Sequence, residues 1–193
     1  MDFANFDIWT WAPVGAGALL VATAIFSYNQ LASLASRCNR ATADVDVQLQ
    51  HRHSLLPNLL EVLRGAQIHD LAVIDAITKA QVAALQAMSP ETKMHAEHAL
   101  SMNLQQAFVV ADRIPELQAN GQFKQLRMEI SDCENKIASA RRFFNLAVDE
   151  YNATRDQFPN NLFAWIFGRG EKQFYALGQN RAVVEEGPVL KLS

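Results

Sequence analysis

An uncharged segment near the N-terminus constrains the fold of this chain more than any other feature. Residues 8–36 contain no Asp, Glu, Lys or Arg, and residues 9–26 are almost all apolar or small. A helix of this length and composition can cross the ~30 Å hydrocarbon core of a bilayer. We therefore predict a transmembrane helix over residues 8–28, with the lipid bilayer as partner, preceded by a short non-cytoplasmic segment, residues 1–7.

The flanks of this helix predict its orientation. Trp9 and Trp11 stand at one end and Tyr28 at the other, and aromatic side chains favour the membrane interface. No Lys or Arg precedes the helix, whereas Arg37 and Arg40 follow it closely. The positive-inside rule therefore places the N-terminus outside and the bulk of the chain in the cytoplasm.

Three other interpretations of this segment fit less well. A cleaved signal peptide needs a basic start, where the chain has only Asp2 and Asp7, although residues 22–24 resemble a cleavage site. A lipoprotein anchor at Cys38 is excluded because Arg37 stands where a small residue is required. A buried helix of a soluble core would not combine two edge tryptophans with so long an uncharged run.

Small residues in the same helix allow two copies of it to approach each other. Gly15, Gly17, Ala18 and Ala22 are spaced so that helix backbones can pack closely. Gly is also frequent in membrane helices generally. Homo-oligomerisation is therefore an open expectation.

Residues 44–61, with the sequence DVDVQLQHRHSLLPNLLE, combine an apolar helix face with charge. Arg52 and His53 fill a gap in that face and should point toward whatever it packs on, which requires a partner of opposite charge. Pro57 removes one backbone donor, so the helix should kink or restart there. The apolar positions of the face are Val45, Leu49, Leu56, Leu59, Leu60 and Leu63.

Helical periodicity also dominates the rest of the chain, and no stretch shows the alternation of a strand. The sequence predicts an all-α fold, in which the transmembrane helix is followed by a cytoplasmic antiparallel bundle of about four helices, two long and two shorter. This bundle takes up residues 29–168, and a tail follows over residues 169–193. The predicted helices cover residues 29–64, 71–87, 90–113 and 122–156, with a break over residues 114–121.

Several ordered blocks of the chain resemble the LemA family. They are Tyr28-Asn29, residues 44–61 followed by Gly65, LQAN at 117–120, ASARRFFNLAVDEYN at 138–152 and FPNNLFAWIFG at 158–168. The resemblance implies a bacterial membrane-anchored protein with an antiparallel helical bundle and no settled enzymatic activity. The chain departs from the family pattern at Gln50 and His51, where a more basic pair is expected, and at Ala43, where an aromatic or polar residue is expected.

An antiparallel register of the two long helices pairs the polar residues within their apolar faces. At 36 or so residues, each helix measures about 54 Å. Asp46 then comes level with Arg141 or Arg142, and Arg52 with Asp132 or Glu134. We predict a central polar layer of two pairs, Asp46 with Arg141 and Arg52 with Glu134, against the alternative that all these side chains reach solvent.

Neither the cysteines nor the histidines predict a metal site or a disulfide. Cys38 and Cys133 lie about 20 Å apart in this register, too far for a disulfide, so both are expected to be structural or inert thiols. His95 and His98 share a helix face, as two metal ligands would, but no third ligand is evident. No metal and no cofactor is predicted.

The chain shows no catalytic pattern, since HExxH, a Gly-rich phosphate loop and a nucleophile motif are all missing. A net charge of −3 also gives no electrostatic footprint for nucleic acid. The favoured function is a non-enzymatic scaffold or adaptor that binds a membrane or cytoplasmic protein. The alternative is an envelope sensor or metal-dependent hydrolase with a polar site around Arg52, His53 and Glu134.

Residues 158–168 concentrate large apolar side chains where the last long helix should return to the bilayer. Asn160 can cap a short helix in this stretch. That helix would turn Leu162 and Ile166 to one side, where they would close the open end of the bundle. The chain after Gly168 is expected to be a loosely held tail.

Three aromatic residues of the same stretch, Phe163, Trp165 and Phe167, cannot all share that side of the short helix. We predict that at least one of them lies at the membrane interface or in a subunit contact. Arg169 and Lys172 follow directly and could meet anionic lipid.

Overall fold

The structure, a computed structural model, describes residues 8–66 and 71–175, of which 8–10 and Leu71 without their side chains. The predicted N-terminal segment, the position of the Trp9 side chain and most of the predicted C-terminal tail therefore lie outside the described residues.

Helices are the only regular secondary structure in these residues, which confirms the all-α fold. They are α1 (Ile8–Gly65), α2 (Leu71–Gln86), α3 (Pro90–Ala111), α4 (Pro115–Ala119), α5 (Gly121–Asp156) and α6 (Asn160–Ile166). The predicted long helices correspond to α1 and α5, and the shorter ones to α2 and α3. The predicted membrane segment and the predicted first bundle helix form one continuous helix, α1.

Local sequence signals explain where two of the helices begin. Ser89 caps α3 through a reciprocal capping box with Thr92. α1 runs through Pro57 without restarting, so of the two alternatives given for Pro57 only the kink stays a prediction. The predicted break between α3 and α5 is wrong in part, because α4 forms a helical turn there. Pro115 opens this turn with a fixed φ, and Leu117 anchors it by full burial.

The described residues divide into two compact units. The first unit consists of residues up to 43 together with 143–174. The second unit consists of residues 44–142, with Tyr175. Each unit has its own cluster of buried apolar side chains.

The second unit has the larger apolar core. All six apolar positions predicted for the face of residues 44–63 are buried, so that prediction is confirmed. Burial of this many leucines supplies most of the stabilisation of such a core. The largest contributors include Leu56, Leu59 and Leu63 from α1, Leu100 and Leu104 from α3, and Phe123 and Ile130 from α5.

In the first unit, α1 and α5 run antiparallel. Arg37 on α1 forms an ion pair of 2.7 Å with Glu150 on α5. Further toward the N-terminus of α1, Gln30 meets Asn160, whose amide also donates to the carbonyl of Thr154 near the C-terminus of α5. The core between the helices includes Leu31, Leu34, Ala41, Val148 and Tyr151.

Among the described helices, only α1 contains a stretch that is long and apolar enough to cross a membrane, judged by length and composition, and this stretch is its first part. Its side chains over residues 11–22 are all exposed, among them Leu19 and Leu20, which are 66% and 65% accessible. A core helix of a soluble protein buries its apolar side chains, and this segment does not.

α6 packs on the first unit with the face opposite to the predicted one. Phe163 is buried, whereas Leu162 and Ile166 are more than half exposed. The prediction that these two aliphatic residues close the bundle is therefore wrong. Asn160 is not the cap either, because α6 begins after Pro159 and the Asn160 amide is used in the contacts with Gln30 and Thr154.

The chain that follows α6 is held against α5, so the prediction of a loose tail is wrong for residues 169–172. The Asn152 amide donates to the carbonyl of Lys172 and accepts from its backbone N–H, at 2.9 and 3.0 Å. Tyr151 donates its hydroxyl to the Gly170 carbonyl, and Arg155 donates to the Arg169 carbonyl. Side chains of α5 thus form hydrogen bonds with backbone groups of residues 169–172, which lie outside any helix.

Candidate functional site

The most unusual side chain in the second unit is Arg52, which is fully buried. Helical spacing explains this position: Arg52 follows Leu49 by three residues and precedes Leu56 by four, and both leucines are in the core. A buried guanidinium needs an opposite charge and hydrogen-bond acceptors for its N–H groups.

Two carboxylates, a hydroxyl and a backbone carbonyl of α3 and α5 supply acceptors for the two terminal nitrogens, while Nε has no partner among the described residues. Arg52 Nη2 forms an ion pair with Glu97 Oε2 and donates to the Glu97 carbonyl at 3.3 Å. Arg52 Nη1 forms an ion pair with Glu134 Oε1 and donates to Ser101 Oγ at 2.5 Å. The guanidinium therefore ties α1 to both α3 and α5.

His53 joins the cluster through Glu97. Its Nε2 lies 2.9 Å from Glu97 Oε1. Since an ionised carboxylate only accepts hydrogen bonds, Nε2 carries the proton in this contact. The other ring nitrogen, Nδ1, is buried and has no hydrogen-bond partner among the described residues.

Ser101 links the carboxylate of Glu134 to the backbone carbonyl of Glu97. Its Oγ lies 3.1 Å from each carboxylate oxygen of Glu134 and 3.2 Å from the Glu97 carbonyl. One hydroxyl proton serves one of these acceptors at a time, while the oxygen accepts from Arg52. We call the set of Arg52, His53, Glu97, Ser101 and Glu134 the arginine cluster.

Two carboxylates of the arginine cluster, those of Glu97 and Glu134, face the one guanidinium of Arg52. Burial raises the pKa of Glu97, but the hydrogen bond with His53 and the charge of Arg52 outweigh burial, so the net pKa lies below its ordinary 4.5. Glu97 is thus ionised at neutral pH in spite of being almost fully buried.

This lowered pKa predicts how acid affects stability. The pKa of Glu97 is lower in the folded protein than in the unfolded chain. The ionised Glu97 therefore contributes its full stabilisation above pH 4.5, and this stabilisation is lost as the pH falls from 4.5 through the pKa of Glu97 in the folded protein. Urea unfolding of the full chain in detergent, repeated over this range, should show that Glu97→Gln is less stable than the parent and loses less stability on acidification. An equally steep acid loss in Glu97→Gln would contradict the assignment.

One of the two predicted polar pairs is present and the other is not. Arg52 pairs with Glu134 as expected. Asp46 instead pairs with Lys93 of α3 at 2.8 Å, and half of its side chain is exposed. The Arg141 guanidinium lies over the ring of Tyr175, 4.8 Å from its centre. The prediction of an Asp46 pair with Arg141 is wrong, so the buried layer consists of the arginine cluster alone.

Glu97 and Ser101 are the members of the cluster that the sequence analysis missed. A signal for Glu97 exists, because it precedes Leu100 by three residues and Leu104 by seven, on the buried face of α3. A carboxylate on an apolar face should be sought as the partner of a cation on another apolar face.

The remaining polar candidates are dispersed over the surface. His95 and His98 are both exposed on α3. Among the described residues, no group of three or more His, Cys, Asp or Glu side chains is arranged to hold a metal ion.

Both cysteines are free and buried. In the first unit the Cys38 thiol donates to the Ala147 carbonyl at 3.2 Å, and in the second unit the Cys133 thiol donates to the Gln48 carbonyl at 3.3 Å. Burial raises the pKa of each thiol, which keeps it protonated at neutral pH and weakly nucleophilic.

Comparison with known proteins links the chain to one family. A sequence model described as the LemA family matches residues 41–189, which cover the arginine cluster, α2 to α6 and most of α1 beyond its apolar part. No curated protein matches the chain.

Proposed function

Given that the chain belongs to the LemA family, we propose that it is a non-enzymatic scaffold or adaptor anchored in the bacterial cytoplasmic membrane. In this proposal the first part of α1 spans the bilayer with its N-terminus outside. The helices that follow lie in the cytoplasm and bind another protein.

The observation that carries the proposal is the contrast within α1. Its apolar side chains over residues 11–22 are exposed, whereas most of those between Val45 and Leu63 in the same helix form one wall of a protein core. A continuous run of exposed apolar side chains needs an apolar surrounding other than this chain, and a bilayer supplies it. The same helix, α1, contains both the proposed anchor and this core-forming face.

The arginine cluster supports a structural role over a catalytic one. Arg52 is inaccessible and Glu97 is 1% exposed, so no substrate can reach the central ion pair. The guanidinium also occupies one carboxylate oxygen of each glutamate. A closed pair of this kind fixes the mutual position of helices.

Exposed apolar side chains on α2 and α3 offer a surface for a protein partner. These two helices pack against each other. Methionine is flexible and polarisable, which suits a contact surface. The exposed residues are Val82 and Leu85 on α2, Met88 after its end, and Met102 and Val109 on α3.

Site-specific photo-crosslinking in native membranes tests the proposal. The full chain would carry a photo-reactive amino acid in place of Met88, and a matched chain would carry it in place of Met128, an exposed methionine of α5. We expect a discrete protein adduct from position 88 and none from position 128. No adduct at 88, at Leu85 or at Met102 would contradict the adaptor function.

A further inference from the structure

α6 has two apolar faces, and only one of them is covered. Phe163 and Ala164 are buried in the first unit. Leu162, Trp165 and Ile166 are spaced by three and four residues, so they share the opposite face, which is exposed. Trp165 is 83% accessible. Phe158, just before the helix, is 84% accessible. Three large apolar side chains thus share the exposed face of α6, and a fourth exposed one, Phe158, precedes the helix.

Two contacts place α6 beside one particular level of α1. The ring of Phe167 meets the ring of Tyr28 edge to face, with centroids 5.2 Å apart. At the other end of α6, the Asn160 amide donates to Gln30 Oε1 at 3.3 Å. α6 therefore lies alongside residues 28–30 of α1.

That level lies directly after the apolar part of α1. Phe26 is the last large apolar residue of the exposed run. At about 1.5 Å per residue, Tyr28 and Gln30 stand about 3 and 6 Å beyond it along the helix axis. The headgroup zone on each side of a bilayer is about 5 to 7 Å thick. If Phe26 marks the edge of the hydrocarbon, α6 is in the headgroup zone.

We infer that α6 is a second membrane contact, in which Phe158, Leu162, Trp165 and Ile166 insert into the interfacial zone of the bilayer that α1 spans. The inference rests on the proposed membrane anchor. Tryptophan suits this zone because its ring is apolar and its indole N–H can still meet a polar group.

A cation next to α6 fits the anionic phosphates of the same zone. The Arg169 guanidinium lies 5.3 Å from the centre of the Tyr28 ring. A hydrogen bond from Arg155 of α5 holds the backbone carbonyl of Arg169. A basic side chain at this depth favours an anionic leaflet.

Fluorescence quenching by brominated lipids tests the contact, because the chain has three tryptophans that two variants separate. Trp9→Phe with Trp11→Phe leaves Trp165 alone. Trp165→Phe leaves the two tryptophans of the anchor. Each full-length variant is reconstituted in vesicles containing anionic lipid, with bromine either near the headgroup or deep in the acyl chains. We expect Trp165 emission to be quenched, and more strongly by shallow bromine than by deep bromine.

The two variants distinguish the inference from the anchor on which it rests. Quenching of Trp9 and Trp11 without quenching of Trp165 would overturn the α6 contact and leave the anchor in place. Quenching of neither would overturn both. A blue-shifted but unquenched Trp165 would show that a second copy of the chain or another part of it covers α6, which also overturns the contact.

A charge on the exposed face provides a second measurement. Ile166→Glu, made in the variant that keeps only Trp165, should weaken the shallow quenching, because a carboxylate is repelled from an anionic headgroup zone. More than half of the Ile166 side chain is exposed, so the helical circular dichroism should be unchanged. Unaltered quenching of Trp165 in this variant would count against the inserted face.

Discussion

Replacing Arg52 with methionine is expected to destabilise the second unit by about 3 to 5 kcal/mol, the usual cost of breaking a buried ion pair. The cost is large because Glu97 and Glu134 would lose their shared cation. Glu97 would remain almost fully buried, with only His53 and its backbone surroundings to stabilise its charge. Urea unfolding of the full chain in detergent, followed by circular dichroism, measures the change.

An exposed pair and a combined variant serve as controls for this prediction. Lys136→Met breaks the pair with Asp132, in which both side chains are more than half exposed, and should cost less than about 1 kcal/mol. Adding Glu97→Leu and Glu134→Leu to Arg52→Met removes all three charges and should recover most of the loss. Equal stability of Arg52→Met and Lys136→Met would show that the cluster is not a buried ion pair.

Two arginines in the first part of α1 should abolish stable membrane insertion. Changing Leu19 and Leu20 to Arg costs about 3 kcal/mol for each residue near the centre of a membrane helix. The chain should then move from the carbonate-resistant membrane fraction to the soluble or aggregated fraction. Fractionation followed by immunoblotting measures the distribution.

The matched control places the same charge outside the proposed span. Leu85 and Leu146 are 65% and 67% exposed, close to the values for Leu20 and Leu19, but lie on α2 and α5. Their double change to Arg should leave the chain in the membrane fraction. If both double variants stay in the membrane, or if both leave it, the first part of α1 is not the specific anchor.

Helix bounds are the part of the fold that the sequence predicts best. The predicted range 122–156 differs from α5 by one residue, and Ser89 starts α3 as expected. Periodicity and capping depend on neighbours in the chain, so they are visible without the fold. α4 escaped prediction because five residues hold too little periodic pattern, and burial of Leu117 decides that turn.

The candidate site was predictable only in part. That Arg52 needs a buried anion follows from its place on an apolar face, and Glu134 follows from the register of two long helices. Glu97 belongs to a third helix, α3, and no local pattern in the sequence reveals the register of α3 against α1. Asp46 follows the buried Val45, and the sequence does not show whether its side chain turns toward α3 or toward α5. The position of Lys93 on α3 determines its partner.

The sequence by itself determined the helical class, the apolar segment of α1 and the need of Arg52 for an anion, because each depends on the order of residues along one helix. Only the tertiary structure decided that Glu97 completes the cluster and that Phe163 of α6 faces inward while Trp165 faces outward. A helix with two apolar faces has no internal reason to bury one of them. The choice comes from the contacts that α6 makes with Tyr28 and Gln30, which are more than a hundred residues distant in the chain.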